Sequence, residues 1–419
     1  MALPLTVKQI EIVKSTAPIL KEHGRVITDV FYTNLLAAHP ELKNYFSLRN
    51  QKTGAQQQAL ANAVFAYAAH IDDLGKLNQA VERIAQKHAS LFIKPEHYPI
   101  VGKFLVQAFI EVLGGAVTDE IKDAWIAAYQ QLANIFIQRE EQLYNESGEQ
   151  WQSWRKFGIA GKTHDSEDVF NLHLKPTDEL PLTKFLPGQY ISLQIPVPSV
   201  DGLLQSRQFS ISSAPVDSHN QLRITVKRGS TIANASTEDI SIGKVPGLLS
   251  NILYDKYQVD DTVELSPPRG LFFFDNDAAS AETPVVLLSL GVGATPVVAI
   301  LDSILKSDNP SRPVSYIHGA RHAGAVCFGK HVHSIAKDHA TVASILFIKN
   351  VEEGDEYSFA GRMNLETLDR NAHLRLDNES TKYFICGPPE WMVQTRDWLA
   401  EQGVKLERVS LELFGTGGI

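Results

Sequence analysis

Three places in this chain combine residue types suited to chemistry. The first is His88, which closes Val81-Glu82-Arg83-Ile84-Ala85-Gln86-Lys87-His88. Neutral imidazole is the commonest strong axial ligand of haem iron. His88 is one of fourteen histidines, however, and by periodicity alone it reads first as a surface or packing residue. The second place is Pro187-Gly188-Gln189-Tyr190 followed by Arg207-Gln208-Phe209-Ser210. A planar, permanently charged guanidinium suits a pyrophosphate, and nearby hydroxyls and backbone amides suit a flavin ring and its ribityl chain. The third is Gly291-Val292-Gly293-Ala294-Thr295-Pro296, behind an apolar run. Small residues there let backbone amides and a helix N-terminus approach a pyrophosphate, although the third glycine of the usual dinucleotide fingerprint is missing. Cys386-Gly387-Pro388-Pro389-Glu390-Trp391-Met392 closes a later strand as its partner, and Arg321 is either a 2′-phosphate ligand or a solvated charge. A ligating histidine and a nucleotide loop in one polypeptide point to a haem-type site supplied with electrons by a nicotinamide nucleotide.

The elements that carry these residues change character along the chain. Only five of the twenty prolines lie in residues 1–150. Apolar residues there recur at helical spacing, as in Ile10, Val13, Ala17 and Leu20, or Val26, Val30, Phe31 and Leu35. Further helices are predicted over roughly 55–70, 77–90, 96–113 and 119–145, which makes residues 1–147 an all-α domain. Asn145-Glu146-Ser147-Gly148-Glu149 reads as a hinge. Beyond it the period falls to two, in Asp168–Leu174 and Leu222–Lys227, with turns at Pro187-Gly188 and Pro267-Pro268-Arg269-Gly270. Short strands at close spacing predict an antiparallel β-barrel domain over 152–276. From 280 to 419 the pattern is α/β with a parallel sheet. Pro284–Leu290 is a continuous apolar strand. Thr295 is the expected N-cap and Pro296 the expected first residue of a helix running to Leu305, and strands follow at Pro313–Ile317, Ala343–Ile348 and Lys382–Ile385.

Bulk properties narrow the class. With 419 residues the chain is expected to form two or three domains, and 44% apolar with 21% charged residues is a globular composition. A net charge of −9 without a clustered basic face argues against nucleic acid as a partner. Cys327 and Cys386 are too few for a disulfide framework, so a reducing compartment is expected. The N-terminus lacks the pattern of a signal peptide, and no uninterrupted apolar run has the length of a membrane span. We expect a cytoplasmic monomer.

Over essentially its whole length the sequence resembles the flavohaemoglobins, the microbial nitric oxide dioxygenases. The matching stretches include Asn50-Gln51-Lys52-Thr53-Gly54-Ala55-Gln56, Ile84–His88, Ile93-Lys94-Pro95-Glu96-His97-Tyr98 and Asn134-Ile135-Phe136-Ile137-Gln138-Arg139-Glu140. The resemblance implies a globin domain, then a ferredoxin-reductase-type FAD barrel and an NAD(P)-binding domain. It implies that His88 is the proximal iron ligand, with Tyr98 and Glu140 as the proximal catalytic pair around it. Tyr32 and Gln56 match the distal residues that touch dioxygen, Phe46 and Leu60 the haem-packing wall, and Lys87 a residue that influences redox behaviour. A carboxylate on the far nitrogen of a ligating imidazole fixes the ring and raises its basicity. Taken without the resemblance, Glu140 reads equally as a solvated charge in Arg139-Glu140-Glu141.

In the reductase half the resemblance assigns Tyr190, Arg207, Gln208, Phe209, Ser210, Gly247 and Ser250 to FAD. Phe209 stands where the family has Tyr, which removes a phenol hydrogen bond worth about 0.5–1.5 kcal/mol. Gly291, Val292, Gly293, Ala294, Thr295 and Pro296 fall to the nicotinamide nucleotide. Glu412, Leu413, Phe414, Gly415 and Thr416 match the terminal segment near the isoalloxazine, with Thr416 where the family has Pro. The implied cofactors are haem b, FAD and NADH or NADPH. The implied reaction passes electrons from NAD(P)H through FAD to the haem, where O2 and nitric oxide become nitrate. The same residues would serve a haem-flavin reductase of peroxides or other acceptors, or an oxygen- or nitric-oxide-binding sensor whose reductase resets the iron.

Overall fold

The computed structural model describes residues 4–198, 202–215, 220–229 and 248–415. Seven helices build the N-terminal part: α1 Val7–Ser15, α2 Ala17–Ala38, α3 Leu48–Thr53, α4 Ala55–Ala69, α5 Asn78–Ser90, α6 His97–Leu113 and α7 Asp119–Glu146. Local signals set their ends. Thr6 caps α1 in a capping box with Gln9, and the Thr118 hydroxyl accepts the Ile121 amide at the start of α7. The apolar stripe of α2 buries Leu20, Ile27, Phe31 and Leu35 against Val64, Leu105 and Trp125. Among the described residues one helical stretch, 97–116, is long and apolar enough to cross a membrane, although it is not an uninterrupted apolar run. Lys103, Gln107 and Glu111 interrupt it, while Leu105, Ala108 and Phe109 pack into the helical core.

Six antiparallel strands follow: β1 Arg155–Ser166, β2 Val169–Pro176, β3 Tyr190–Pro196, β4 Leu204–Ser210, β5 Leu222–Lys227 and β6 Thr262–Leu265, with helix α8 Leu248–Lys256 before the last. Their order is β4-β3-β6-β1-β2-β5, and a bridge between Ile211 and Ile224 brings the two edges together. That closure makes the sheet a barrel, filled by Phe157, Leu172, Ile191, Leu193, Ile224 and Val263. Asp168–Leu174 does not alternate as predicted. β2 buries four residues in succession from Val169, because one of its faces packs on the next layer.

The last part is a six-stranded parallel sheet of β7 Val285–Leu290, β8 Val314–Ala320, β9 Val342–Ile348, β10 Phe359–Ala360, β11 Lys382–Cys386 and β12 Val409–Glu412. Its order is β10-β9-β8-β7-β11-β12, with helices α9 Ala294–Leu305, α10 Gly329–Asp338 and α11 Pro389–Glu401. Strand order reverses between β7 and β11, the crevice where open α/β sheets take ligands. The fold class is therefore the one expected: a helical globin, an antiparallel barrel and a parallel α/β layer.

Candidate functional site

His88 lies in the last turn of α5. Its Nδ1 is 2.8 Å from Glu140 Oε1 and 3.1 Å from the Tyr98 hydroxyl. The Tyr98 hydroxyl donates to the same Glu140 oxygen at 2.6 Å. Glu140 is only 2% exposed, so the charged run at 139–141 divides on folding. Arg139 turns to Glu82 and Glu146 while Glu140 turns inward. Burial, and then the neighbouring Glu140 charge, hold the Tyr98 phenol well above its usual range and keep it a neutral donor. With Nδ1 held by the carboxylate, Nε2 has no hydrogen bond among the described residues and is free to ligate.

The residues expected on the other side form a second cluster. Tyr32 is buried, hydrogen-bonds the Gln56 side chain and meets Phe46 edge-on, with ring centroids 5.3 Å apart. Burial raises its pKa. Leu60 packs on the same cluster. Tyr98 and Phe136 belong to a separate cluster, and the two touch at Tyr129 and Leu132. Lys87 and Arg207 are both pushed down, first by burial and then by a neighbouring cation, Arg207 to about 10. Half-buried neighbouring cations suit an anionic group such as a propionate or a phosphate. An anchored imidazole, a buried phenol and such cations fit a haem.

Antiparallel pairing of β3 with β4 sets Tyr190 opposite Ser210, Ser192 opposite Gln208 and Leu193 opposite Arg207. The Ser210 hydroxyl is buried and has no hydrogen-bond partner among the described residues, which fits a polar ligand on this strand. The Ser250 hydroxyl accepts the Gly229 amide at 3.2 Å. Phe209 lies against the barrel core. Gly247 and Thr416 lie outside the described residues.

At the sheet crevice, Gly291 has φ +55, and a Cβ on Gly293 would stand 2.1 Å from the Cys386 carbonyl oxygen. The two motifs 95 positions apart in sequence thus meet backbone to backbone, which only glycine allows. The expectation for Thr295 and Pro296 needs correction. Gly291–Gly293 is a 3-10 turn and α9 begins at Ala294, whose amide already bonds Gly291 O and Val292 O. Thr295 therefore caps nothing; its hydroxyl donates to Val292 O at 3.0 Å, and Pro296 sits third in the helix. Arg321 is exposed beyond β8. Glu412 ends β12 beside Cys386, and Leu413 packs on the sheet's outer core while Phe414 is exposed. Burial pushes the Glu412 carboxyl up to about 8, against the pull of Arg83 on α5.

Sequence reasoning missed the residues that join the parts. Arg269, read only as part of a turn, is buried and donates to Leu143 O at 2.8 Å and to the Ser147 hydroxyl, closing the C-terminus of α7. Its backbone pairs with Tyr190 in both directions at 2.8 Å. Gln205 reaches Lys43 O and Phe46 O and accepts the Leu48 amide. Gln86 accepts the Gly270 amide at 3.1 Å. These are ordinary polar residues in sequence, and their side-chain partners are 122 to 184 positions away. An arginine held between two turn prolines and a glycine was the one available signal.

The fold and site together define a globin joined to a flavin- and nicotinamide-dependent reductase. Residues 29–136 match the Globin family, 156–274 the Oxidoreductase FAD-binding domain and 287–397 the Oxidoreductase NAD-binding domain. The chain is 41% identical to a flavohemoprotein of Bordetella pertussis over 97% of its length and 98% of that protein's. It is 36% identical to a flavohemoprotein of Bacillus subtilis, with 97% of each covered. A flavohemoglobin structure from Malassezia yamatoensis with bound FAD and heme superposes with a TM-score of 0.81, at 27% identity over 98% of this chain and 100% of that one. The FAD/NAD-binding domain of a nitric oxide dioxygenase from Vibrio cholerae matches 62% of this chain and 98% of its own, at 28% identity and a TM-score of 0.51. This chain belongs to the flavohemoprotein family. Its three domains take haem, FAD and a nicotinamide nucleotide as cofactors, and it is an NAD(P)H-dependent oxidoreductase.

Proposed function

We propose that this chain is a nitric oxide dioxygenase that converts nitric oxide and O2 to nitrate with NADH or NADPH as electron donor. When bound, FAD supplies the change from hydride to single-electron transfer and haem b the redox-active iron. His88 Nε2 would hold the haem iron. Glu140 fixes the ring through Nδ1 and enriches it in electron density, and Tyr98 holds Glu140 in place. Tyr32, oriented by Gln56, donates a hydrogen bond where negative charge develops on oxygen. Phe46 and Leu60 exclude water, Lys87 and Arg207 neutralise acidic groups of the cofactors, and Gln208 and Ser210 hold the flavin. The loop from Gly291 to Pro296 and the end of β11 receive the nucleotide. The two buried, unpaired thiols support a reducing, cytoplasmic setting.

The observation that carries the reading is the buried carboxylate on His88 Nδ1 at 2.8 Å. An electron-rich imidazole favours oxygen activation over storage. The Vibrio cholerae neighbour of the reductase half, a domain of a nitric oxide dioxygenase, supports it. The test is nitric oxide consumption by holoprotein under NADH, with and without O2. Consumption that requires O2 and yields nitrate mole for mole is expected. Equal consumption without O2, or NADH oxidation indifferent to nitric oxide, overturns the reading.

A further inference from the structure

One buried hydrogen-bond junction ties the iron site to the flavin strands. Ser90 lies two residues beyond His88, at the end of α5, and is fully buried. Its hydroxyl donates to Lys87 O at 2.7 Å, the carbonyl of the peptide bond that joins Lys87 to His88. The same oxygen accepts the hydroxyl of Ser192 on β3 at 2.9 Å, and it is hydrogen-bonded to the Tyr190 side chain. Ser192, also fully buried, in turn accepts the Gln208 side-chain amide of β4 at 3.2 Å. A serine hydroxyl has one proton and two lone pairs; at Ser90 the proton goes to Lys87 O and a lone pair takes the Ser192 hydroxyl.

We infer that Ser90 is a positioning residue for electron passage from flavin to iron. It fixes the peptide of the proximal histidine to Tyr190 and, through Ser192, to Gln208. This rests on the reading above, in which His88 holds the iron and Tyr190 and Gln208 lie at the flavin. In the step it serves, reduced flavin loses one electron and ferric iron becomes ferrous; no bond forms or breaks on the serines. The chain of donors runs one way, from Gln208 to Ser192 to Ser90 to Lys87 O, so each bond polarises the next. Neither serine reaches water, so a lost hydroxyl leaves its partners unpaired and the helix end free to drift. Electron passage weakens with the separation of flavin and iron, so a helix end that drifts slows it.

The test uses full-length protein loaded with haem and FAD. Ser90→Ala removes the junction, Ser192→Ala cuts the Gln208 branch alone, and Ser90→Thr retains the hydroxyl. Stopped-flow spectra after mixing with NADH follow flavin and haem separately, and deuterium uptake is read over residues 86–93. In Ser90→Ala we expect flavin reduction at the parental rate, haem reduction slowed by more than about twofold, and faster uptake at 86–93. Ser192→Ala should show a smaller change of the same kind, and Ser90→Thr should recover the haem rate. Haem reduction in Ser90→Ala within twofold of the parent overturns the inference. So does an equal fall in the flavin and haem rates, which marks general loosening. A parent protein whose flavin is reduced while its haem never is would instead overturn the electron path of the proposed function.

Discussion

Glu140→Gln is the most direct probe of the proposed iron site. Glu140 Oε1 accepts from Tyr98 at 2.6 Å and faces His88 Nδ1 at 2.8 Å. Glutamine is nearly isosteric, and its carbonyl oxygen can accept both bonds, so the geometry survives and the charge does not. A charge-assisted hydrogen bond is about twice as strong as a neutral one, which puts the loss at about 1 kcal/mol per bond and about 2 kcal/mol for the pair. An anionic partner on the imidazole favours ferric over ferrous iron, so removing the charge should raise the haem midpoint potential. If the full difference acts on one oxidation state, about 2 kcal/mol corresponds to about 90 mV for a single electron. That is the upper bound. The assay is spectroelectrochemical titration of the holoprotein, with the flavin potential as internal control. An increase of about 30–90 mV at haem, with flavin unmoved, is expected. A haem potential within about 20 mV of the parent would refute the premise that this carboxylate tunes the ligand.

Two further outcomes follow from other residues. Tyr32→Phe removes a buried donor that Gln56 orients, so O2 should leave the ferrous protein about 10–100-fold faster; laser photolysis measures this, and an unchanged off-rate removes Tyr32 from the oxygen site. Burial pushes Glu412 from its usual 4.5 to about 8, so between those values the folded protein holds a proton that the unfolded chain has shed. Its contribution to stability is complete below about pH 4.5 and is lost as pH rises through about 8. The parent's Tm should therefore fall from pH 5 to 8 more steeply than that of Glu412→Gln, and parallel curves would contradict a buried neutral carboxyl there.

Much of the architecture was legible because each part has its own period. The helix predicted over 55–70 is Ala55–Ala69, and Leu222–Lys227 is a strand with the predicted bounds. Local propensity and one-sided burial decide those elements, and both are written within a few residues. The start of α9 was misread because Thr-Pro is a strong local capping signal, yet the preceding 3-10 turn had already satisfied the first amide. At the iron site, periodicity alone could not separate Glu140 from its charged neighbours. Its inward turn depends on Tyr98 and His88, which lie 42 and 52 positions away, and the resemblance supplied what spacing did not.

The seam explains why those positions are held so firmly. Helix α5, which carries His88, ends on Ser192 and Tyr190 of β3 through Ser90; helix α7, which carries Glu140, ends on Arg269, whose backbone pairs with Tyr190. The two elements that must keep imidazole and carboxylate 2.8 Å apart are therefore tied at their C-termini to one strand of another domain. Buried hydroxyl and guanidinium contacts serve this better than apolar packing, because their geometry is directional and an unpaired partner is costly. A rotation of the barrel against the helices would have to break both ties at once. The spacing of His88 and Glu140 is thus a property of the assembled chain, and β3 is the strand that sets it.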